Sequence, residues 1–474
     1  MKICPYCQES IEDTHPYCPF CNKPLISNLR DVSNKSIAQN HDTSELFTDE
    51  DEEIETYEHT IINDSEIERQ IKKINEILES KEVIGDPIPG SLFLEKSSLF
   101  YKKRDLSNAL KNLELALKNF EAENDFPNIA ICHNEIGLIQ EDMGYYDQSI
   151  YHFNRSLEFL KEIGDSHKII KLLNNLGNIY HLIKDLENSY QFYQEAIDLS
   201  KQEKLEYEEV KSSSNLVEIL YQLRDFERIK RILKRNLEFF KEQEDIYGII
   251  TIEIKYGKLY YLTNEDHDIS FKHLDDALNL ISSIKDKITI YTQSKLEWEC
   301  FLYLGKIYQS WEKLLDAEIY FTRSLEAVRI FEIRESLSEG IILENLAKLY
   351  SLKEDRGKAV EYYQLSSDIY DKFGDKNAVA EIKCKISTHY SKTEGERVIA
   401  TKYLEEALNI YEELQFTKKA ADILDKLGDM YLHRKMAERA ITFFKRAQDY
   451  YIELRDEYNS NLLEEKINSL KPVN

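Results

Sequence analysis

One block of about forty residues recurs along most of this 474-residue chain and limits the fold more than any other feature. The segment NNLGNIYHLIKDLENSYQFYQEAIDL at 174–199 reappears as NEIGLIQEDMGYYDQSIYHFNRSLEF at 134–159 and as DKLGDMYLHRKMAERAITFFKRAQDY at 425–450. Successive copies are 40, 40, 40, 40, 48, 42, 40 and 41 residues apart when aligned on one position, here called the marker. The nine markers are Ser97, Gly137, Gly177, Val217, Gly257, Gly305, Ala347, Ser387 and Gly428. Such a period predicts a solenoid, because each unit can bury its apolar face only against its neighbours.

Each copy has the pattern of two amphipathic helices. In the third copy, apolar residues recur at helical spacing, with Leu173, Leu176 and Tyr180 in the first helix and Tyr190 and Tyr193 in the second. Small residues recur at the marker and about twelve and nineteen residues after it, where two helices must nearly touch. The chain has only 14 glycines and 8 prolines, which is typical of helical proteins. We therefore predict an all-α fold.

The repeats resemble the tetratricopeptide repeat, whose consensus places a small residue, a tyrosine and further small residues at these offsets. The chain lacks that family's early tryptophan and its closing proline, and its longer period is similar to that of kinesin light chain and Pins-like adaptors. The resemblance implies a right-handed superhelix of about nine helix hairpins with a concave groove lined by the first helices. The predicted organisation is a zinc ribbon at 1–27, an acidic disordered linker at 28–64, a helix and loop at 65–89, the superhelix at 90–458, and a capping helix with a tail at 459–474.

Four of the seven cysteines lie in the first 21 residues, in two C-x-x-C pairs: Cys4 with Cys7 and Cys18 with Cys21. Two such pairs supply the four thiolates of a closed structural zinc site, which leaves no position open for catalysis. A redox pair is one alternative, and replacement of a thiolate by His15 is another. The segment resembles the short zinc ribbons at the N-terminus of many prokaryotic, especially archaeal, proteins.

The linker at 28–64 has no hydrophobic periodicity and holds eleven acidic residues against two basic ones. We expect a disordered, self-repelling tether. The alternative is that its most acidic part, 48–59, contacts a basic groove elsewhere in the same chain.

Candidate groove residues follow from the resemblance, which places residues near the marker on the concave surface. In the tetratricopeptide family, asparagines there hold a peptide backbone and lysines hold its carboxylates, so an acidic peptide or C-terminus is implied as the ligand. The alternative for the lysines is an ordinary solvated helix face. The candidates are Lys171, Asn174, Asn175, Asn178, Lys211, Asn215, Lys258, Lys306, Asn345 and Lys348.

The fourth copy departs from the others. Val217, Ile229 and Asn236 replace the small residues, so its helices should be further apart or rotated. Four arginines in this copy lie on one helical face and form a possible second partner surface, with salt bridges to nearby glutamates as the alternative. They are Arg224, Arg228, Arg231 and Arg235.

The formal net charge of −26 makes nucleic acid an unlikely main partner, because the chain as a whole repels phosphate. No apolar run is long enough to span a membrane, and we expect a cytoplasmic protein. We find no Ser-His-Asp set, carboxylate pair or phosphate loop, so no enzyme is predicted. The expected function is a protein-protein scaffold, in which the groove binds a peptide or protein and the tethered zinc ribbon docks a second partner. The alternative is a transcription or translation regulator whose ribbon contacts nucleic acid and whose groove senses a peptide.

Overall fold

The computed structural model describes residues 2–3, 10–11, 64–263, 266–331, 336–391 and 394–470. These ranges contain twenty α-helices and one short antiparallel sheet. The sheet pairs β1 (Lys2–Ile3) with β2 (Ser10–Ile11), with Lys2 opposite Ile11. No helix in these ranges is both long and apolar enough to cross a bilayer.

Nine helix pairs form the solenoid, with α1 (Asp64–Ile84) before them and α20 (Glu457–Leu470) after them. The first helices of the pairs are α2 (Gly90–Lys102), α4 (Phe126–Asp142), α6 (Ser166–Leu182), α8 (Glu206–Leu223), α10 (Ile246–Thr263), α12 (Ile290–Ser310), α14 (Leu337–Leu352), α16 (Lys376–His389) and α18 (Thr417–His433). The second helices are α3 (Leu106–Glu123), α5 (Tyr146–Ile163), α7 (Leu186–Glu203), α9 (Phe226–Glu242), α11 (His267–Ile284), α13 (Leu314–Phe331), α15 (Arg356–Lys372), α17 (Glu394–Glu413) and α19 (Ala437–Glu453). A 3-10 turn, Lys285–Lys287, follows α11. All nine markers lie in first helices, and the all-α expectation is confirmed.

Glycine markers are explained by a large side chain on the second helix of the same pair, which is an aromatic ring in four cases and Leu274 at Gly257. A Cβ added to Gly177 would lie 2.5 Å from the Tyr193 ring, closer than any ordinary carbon contact. The same packing joins Gly137 to Phe153, Gly305 to Phe321 and Gly428 to Phe444. These rings are almost fully buried, so the absence of a side chain at the marker allows the two helices to pack closely.

Several serines at the other close-packing positions add hydrogen bonds to this contact, whereas the buried Ser149 hydroxyl has no partner in the described ranges. Ser156, Ser324 and Ser366 each donate from Oγ to a backbone carbonyl of the first helix at 2.8 Å. Ser189 likewise donates to the carbonyl oxygen of Gly177 at 2.7 Å. Each hydroxyl is fully buried and therefore needs such a partner.

The fourth pair packs differently, as expected from its larger residues. Its helices α8 and α9 are in less close contact than the two helices of any other pair. Asn236 is fully buried between them, and its Nδ2 lies 3.1 Å from the Val210 carbonyl oxygen, 3.0 Å from Ser213 Oγ and 2.8 Å from Ser214 Oγ. The neighbouring helix therefore supplies serines that satisfy the amide.

Many turns between the described helices combine a left-handed residue with an aspartate at the N-cap of the next helix. At the turn between α6 and α7, Lys184 has φ of 62° and Asp185 accepts a hydrogen bond from the Asn188 backbone N–H at 3.1 Å. The same pair of features occurs at Arg104-Asp105, Asn124-Asp125, Gly164-Asp165, Arg224-Asp225, Glu354-Asp355 and Gly374-Asp375. The left-handed residue ends one helix and the aspartate begins the next.

Candidate functional site

The first helices form the concave side of the solenoid. First helices of neighbouring pairs are in contact. Helix α6 contacts α8, and α12 contacts both α10 and α14. Second helices of neighbouring pairs approach each other less closely within the described ranges. A stack in which one set of helices lies closer together must curve towards that set, so we call the first-helix surface the concave face.

Polar side chains on the concave face bond from one first helix to the next. We call this set of contacts the polar ladder. Its partners are about forty residues apart, which is one repeat. The contacts are Asn175 to Asn134 at 3.1 Å, Asn215 to Asn174 at 3.3 Å, Gln222 to His181 at 2.7 Å, Lys258 to Glu218 at 2.7 Å, Lys258 to Glu299 at 3.2 Å and Lys385 to Glu344 at 2.7 Å.

Two predicted asparagines of the third pair, Asn174 and Asn175, lie in this ladder, and Asn178 bonds to the second helix of its own pair. Asn174 Nδ2 donates to Ser212 Oγ at 2.9 Å, and Asn178 Oδ1 accepts from the Tyr193 hydroxyl at 2.6 Å. Asn175 is 1% exposed, and its Oδ1 has no hydrogen-bond donor in the described part of the chain. These amides are therefore mostly used in joining helices, and one buried acceptor is left over.

Asn345, predicted for the same role, bonds within its own helix. Its Nδ2 donates to the Ile341 carbonyl oxygen at 2.7 Å, and the residue is 8% exposed. It does not take part in the asparagine contacts of the second to fourth pairs.

Lys258, on α10, is held between two carboxylates. Its Nζ lies 2.7 Å from Glu218 Oε2 on α8 and 3.2 Å from Glu299 Oε1 on α12. Burial disfavours the charged ammonium, but the two carboxylates outweigh this effect and raise the pKa of Lys258 well above its usual value. This charge is neutralised inside the protein.

Lys348, on α14, is also paired. Its Nζ lies 2.8 Å from Glu344 Oε1, which also accepts from Lys385 at 2.7 Å. Burial would raise the pKa of Glu344, but Lys348 and Lys385 outweigh it and lower the pKa. Two of the three lysines that follow a marker are thus ion-paired.

Lys306, on α12 between the other two lysines, has no carboxylate partner in the described ranges. Its Nζ lies 4.4 Å from the centroid of the Tyr303 ring and 5.8 Å from that of Tyr261. The side chain is half-buried. Burial and the neighbouring charges of Lys348 and Lys258 lower the pKa of Lys306 to about 8. An ammonium in this setting lacks a counter-ion, and an incoming anion could supply it.

Lys171 and Lys211, the remaining predicted lysines, are both engaged with neighbouring side chains. Lys171 is 8% exposed on α6 and interacts with its surroundings. Lys211 Nζ lies 4.8 Å from the centroid of the Tyr207 ring. Neither lysine offers a free ammonium.

The four arginines of the fourth pair divide into two groups. Arg228 donates to the Tyr190 hydroxyl at 2.7 Å and to Gln194 Oε1 at 3.2 Å, and Arg235 forms an ion pair with Glu209. Arg224 and Arg231 are exposed and form no ion pair within the described residues. Arg224 lies in the turn before α9, so the four arginines do not share one helical face as predicted, and two of them are committed to contacts inside the protein.

The predicted zinc ligands Cys4, Cys7, Cys18 and Cys21 and the acidic segment 48–59 lie outside the described residues. The strands β1 and β2 flank Cys4 and Cys7 in the sequence. In the part that is described, no three His, Cys, Asp or Glu side chains come together as a metal site.

Sequence reasoning missed the carboxylates that neutralise the lysines. Glu218 occupies the same place after its marker in the fourth copy as Lys258 does in the fifth. Comparing equivalent positions of adjacent copies for opposite charge would have found this pair, because first helices of neighbouring pairs are in contact. The two tyrosines beside Lys306 carry no comparable signal.

Two family models match parts of the chain. The model described as soluble NSF attachment protein, SNAP, matches residues 341–472, and the model described as tetratricopeptide repeat matches residues 170–203. No curated relative matches the chain.

One solved structure shares the fold at low sequence identity, and two others are similar with lower TM-scores. A signal transduction ATPase with numerous domains that carries a tetratricopeptide repeat sensor, from Pyrococcus horikoshii, is 16% identical with a TM-score of 0.52. That match covers 79% of this chain, and this chain spans 55% of that protein. A Rap protein complexed with competence and sporulation factor is 14% identical over 83% of this chain and 99% of its own, with a TM-score of 0.46. The apo quorum sensor NprR from B. thuringiensis is 15% identical over 74% and 98%, with a TM-score of 0.47. Together with the family model at 170–203, the helix pairs show that the chain is a repeat protein of the tetratricopeptide type.

Proposed function

We propose that this chain is a non-enzymatic scaffold that binds a peptide or protein partner on its concave face and that acts in the cytoplasm. The observation that carries the proposal is Lys306, an ammonium without a counter-ion among the ion-paired side chains of that face. A carboxylate of the partner would complete the arrangement already seen around Lys258. The partner therefore has an acidic group at the point of contact, either a side chain or a C-terminus.

The location of Lys306 narrows the expected mode of recognition. Of the five lysines that the sequence suggested, Lys258 and Lys348 are ion-paired and Lys171 and Lys211 are engaged, so Lys306 is the one of the five left available. Recognition by a single carboxylate together with backbone contacts fits this better than recognition of a long acidic run. The buried Asn175 Oδ1 is a further acceptor, which a backbone N–H of a bound peptide could reach only if the neighbouring side chains moved.

The zinc ribbon remains part of the proposal as a second docking module on a tether. The pairing of β1 with β2, which lie on either side of Cys4 and Cys7 in the sequence, supports it. If zinc binds, the four thiolates would hold it and the ion would supply folding energy to a segment too short for a core. Two modules joined by a linker would raise the effective concentration of one partner near the other.

The test is affinity capture from the native host with three baits: the wild type, Lys306→Gln and the control Lys313→Gln. Lys313 is also a lysine over aromatic rings, 5.3 Å from Trp311, but it lies in an exposed turn. We expect a set of partners to be lost with Lys306→Gln and kept with Lys313→Gln. Synthetic peptides from those partners should bind the wild type with a free carboxylate and lose affinity when that group is amidated. Equal capture by all three baits would exclude Lys306 as the contact.

A further inference from the structure

Two contacts join parts of the solenoid that are five helix pairs apart. Lys184 Nζ, in the turn of the third pair, lies 2.6 Å from Asp375 Oδ2 at the start of α16 in the eighth pair. The Arg104 guanidinium, in the turn of the first pair, lies 3.9 Å from the centroid of the Tyr291 ring at the start of α12 in the sixth pair. Five helix pairs therefore complete about one revolution of the superhelix, and successive revolutions, here called turns of the coil, are in contact.

The residues that make these contacts occupy equivalent places in their repeats. Arg104 and Lys184 are the left-handed residues between the two helices of their pairs, with φ of 58° and 62°. This conformation is unfavourable for a residue with a Cβ, and the second pair has Gly144 at the same place. A glycine would suit the left-handed conformation of this connection better. It has no side chain, however, and could not contact the next revolution of the superhelix. Arg224 holds this place in the fourth pair and makes no such contact within the described ranges.

We propose that Arg104 and Lys184 form a clasp that holds successive turns of the coil together. While the clasp is shut, the opening between these turns is closed, and the concave face is reached along the axis of the coil. An extended peptide segment could enter in this way, whereas a folded partner would require the clasp to open. This last step rests on the proposed function, but the clasp itself does not.

The contacts are of a strength that permits opening. Half of the Lys184 side chain is exposed, at 53%, while Asp375 is 12% exposed. An exposed ion pair or cation–π contact of this kind changes an equilibrium by up to about fivefold. Both contacts together therefore bias the coil towards closure without locking it. The ion pair should also weaken as salt is added.

The test compares two double variants of the full chain by small-angle X-ray scattering and hydrogen exchange. Arg104→Glu with Lys184→Glu reverses both clasp charges and sets a carboxylate against Asp375. Arg224→Glu with Lys204→Glu is the matched control, because both residues are left-handed turn residues and the change in net charge is the same. We expect the clasp variant alone to show a larger radius of gyration and faster exchange at 183–186 and 373–378.

A second variant separates opening from loss of stability. Arg104→Gly with Lys184→Gly removes the clasp but relieves the left-handed conformation, so it should melt no lower than the wild type. It should still show the larger radius of gyration. If both clasp variants have the dimensions of the wild type, or if the control pair expands equally, the clasp is refuted. No ligand enters these measurements, so they stand apart from the test of peptide binding.

Discussion

Lys306 and Lys258 occupy equivalent positions one repeat apart, yet their surroundings drive their protonation in opposite directions. Burial and two neighbouring lysines lower the pKa of Lys306 to about 8, whereas Glu218 and Glu299 raise that of Lys258 despite its burial. A neutral amine is the reactive form, so acylation by an amine reagent should reach half its maximal rate near pH 8 at Lys306. At Lys258 this should occur only at much higher pH. Competitive labelling across pH with mass spectrometry measures both sites in one sample.

The same measurement reports on the ligand. A bound carboxylate would stabilise the ammonium of Lys306, so a peptide identified by capture should slow labelling at this residue and leave Lys258 unchanged. Equal labelling profiles at the two lysines would contradict the geometry described above.

Glycine at the marker is required by packing, and this can be measured. In Gly177→Ala the new methyl group would lie 2.5 Å from the Tyr193 ring, which is buried and cannot move without disturbing its neighbours. We expect a loss of about 1–3 kcal/mol in the free energy of unfolding, from urea denaturation followed by circular dichroism. Gly395→Ala is the control, because a Cβ there meets nothing within 4 Å, and it should be neutral or slightly stabilising. A Gly177→Ala protein as stable as the wild type would show that the helices can separate freely.

At the scale of the helix, each element begins and ends through its turn. The Asp185 side chain accepts from the Asn188 backbone N–H at 3.1 Å and so caps α7. Asp185→Ala should lower the free energy of unfolding by about 1 kcal/mol. Asp198→Ala, in the exposed middle of the same helix, removes an equal charge and should change stability far less. Similar losses for the two variants would mean that charge, and not capping, accounts for the effect.

The sequence predicted the positions of the helices better than it predicted the contacts between them. The marker spacing placed all nine first helices, because apolar periodicity and small residues are local signals. The carboxylates beside Lys258 were not predicted, since Glu218 and Glu299 come from neighbouring copies and depend on how closely first helices approach. The aspartate caps were visible in the sequence as a recurring turn residue followed by Asp, but this pattern was not recognised. The contacts of the clasp depend on the angle between each helix pair and the next. No local sequence pattern predicts that angle.

At the scale of the whole molecule, charged side chains make two kinds of contact, one between neighbouring helix pairs and one between distant pairs. The polar ladder uses lysines and glutamates to join neighbouring pairs, and the clasp uses Lys184 and Arg104 to join pairs that are far apart. Among the three lysines after a marker, Lys306 has no carboxylate partner in the described ranges, and we propose it as the ligand contact. A folded partner, which could bind only to the opened coil, would couple its binding to opening of the clasp, whereas an extended peptide that enters along the axis would not.

The predicted zinc site allows a test of whether the N-terminal segment folds independently of the solenoid. Four thiolates from Cys4, Cys7, Cys18 and Cys21 should bind one zinc ion per chain, measurable by elemental analysis of the purified full-length protein. Cys18→Ser should lose the ion, because a closed site needs all four ligands, while Cys384→Ser, which alters a half-buried thiol of α16, should keep it. Zinc binding of about 10–16 kcal/mol would fold only its own segment. A chelator should therefore leave the thermal unfolding of the helices unchanged, and a lowered melting temperature would show that the segment docks on the solenoid instead of standing apart from it.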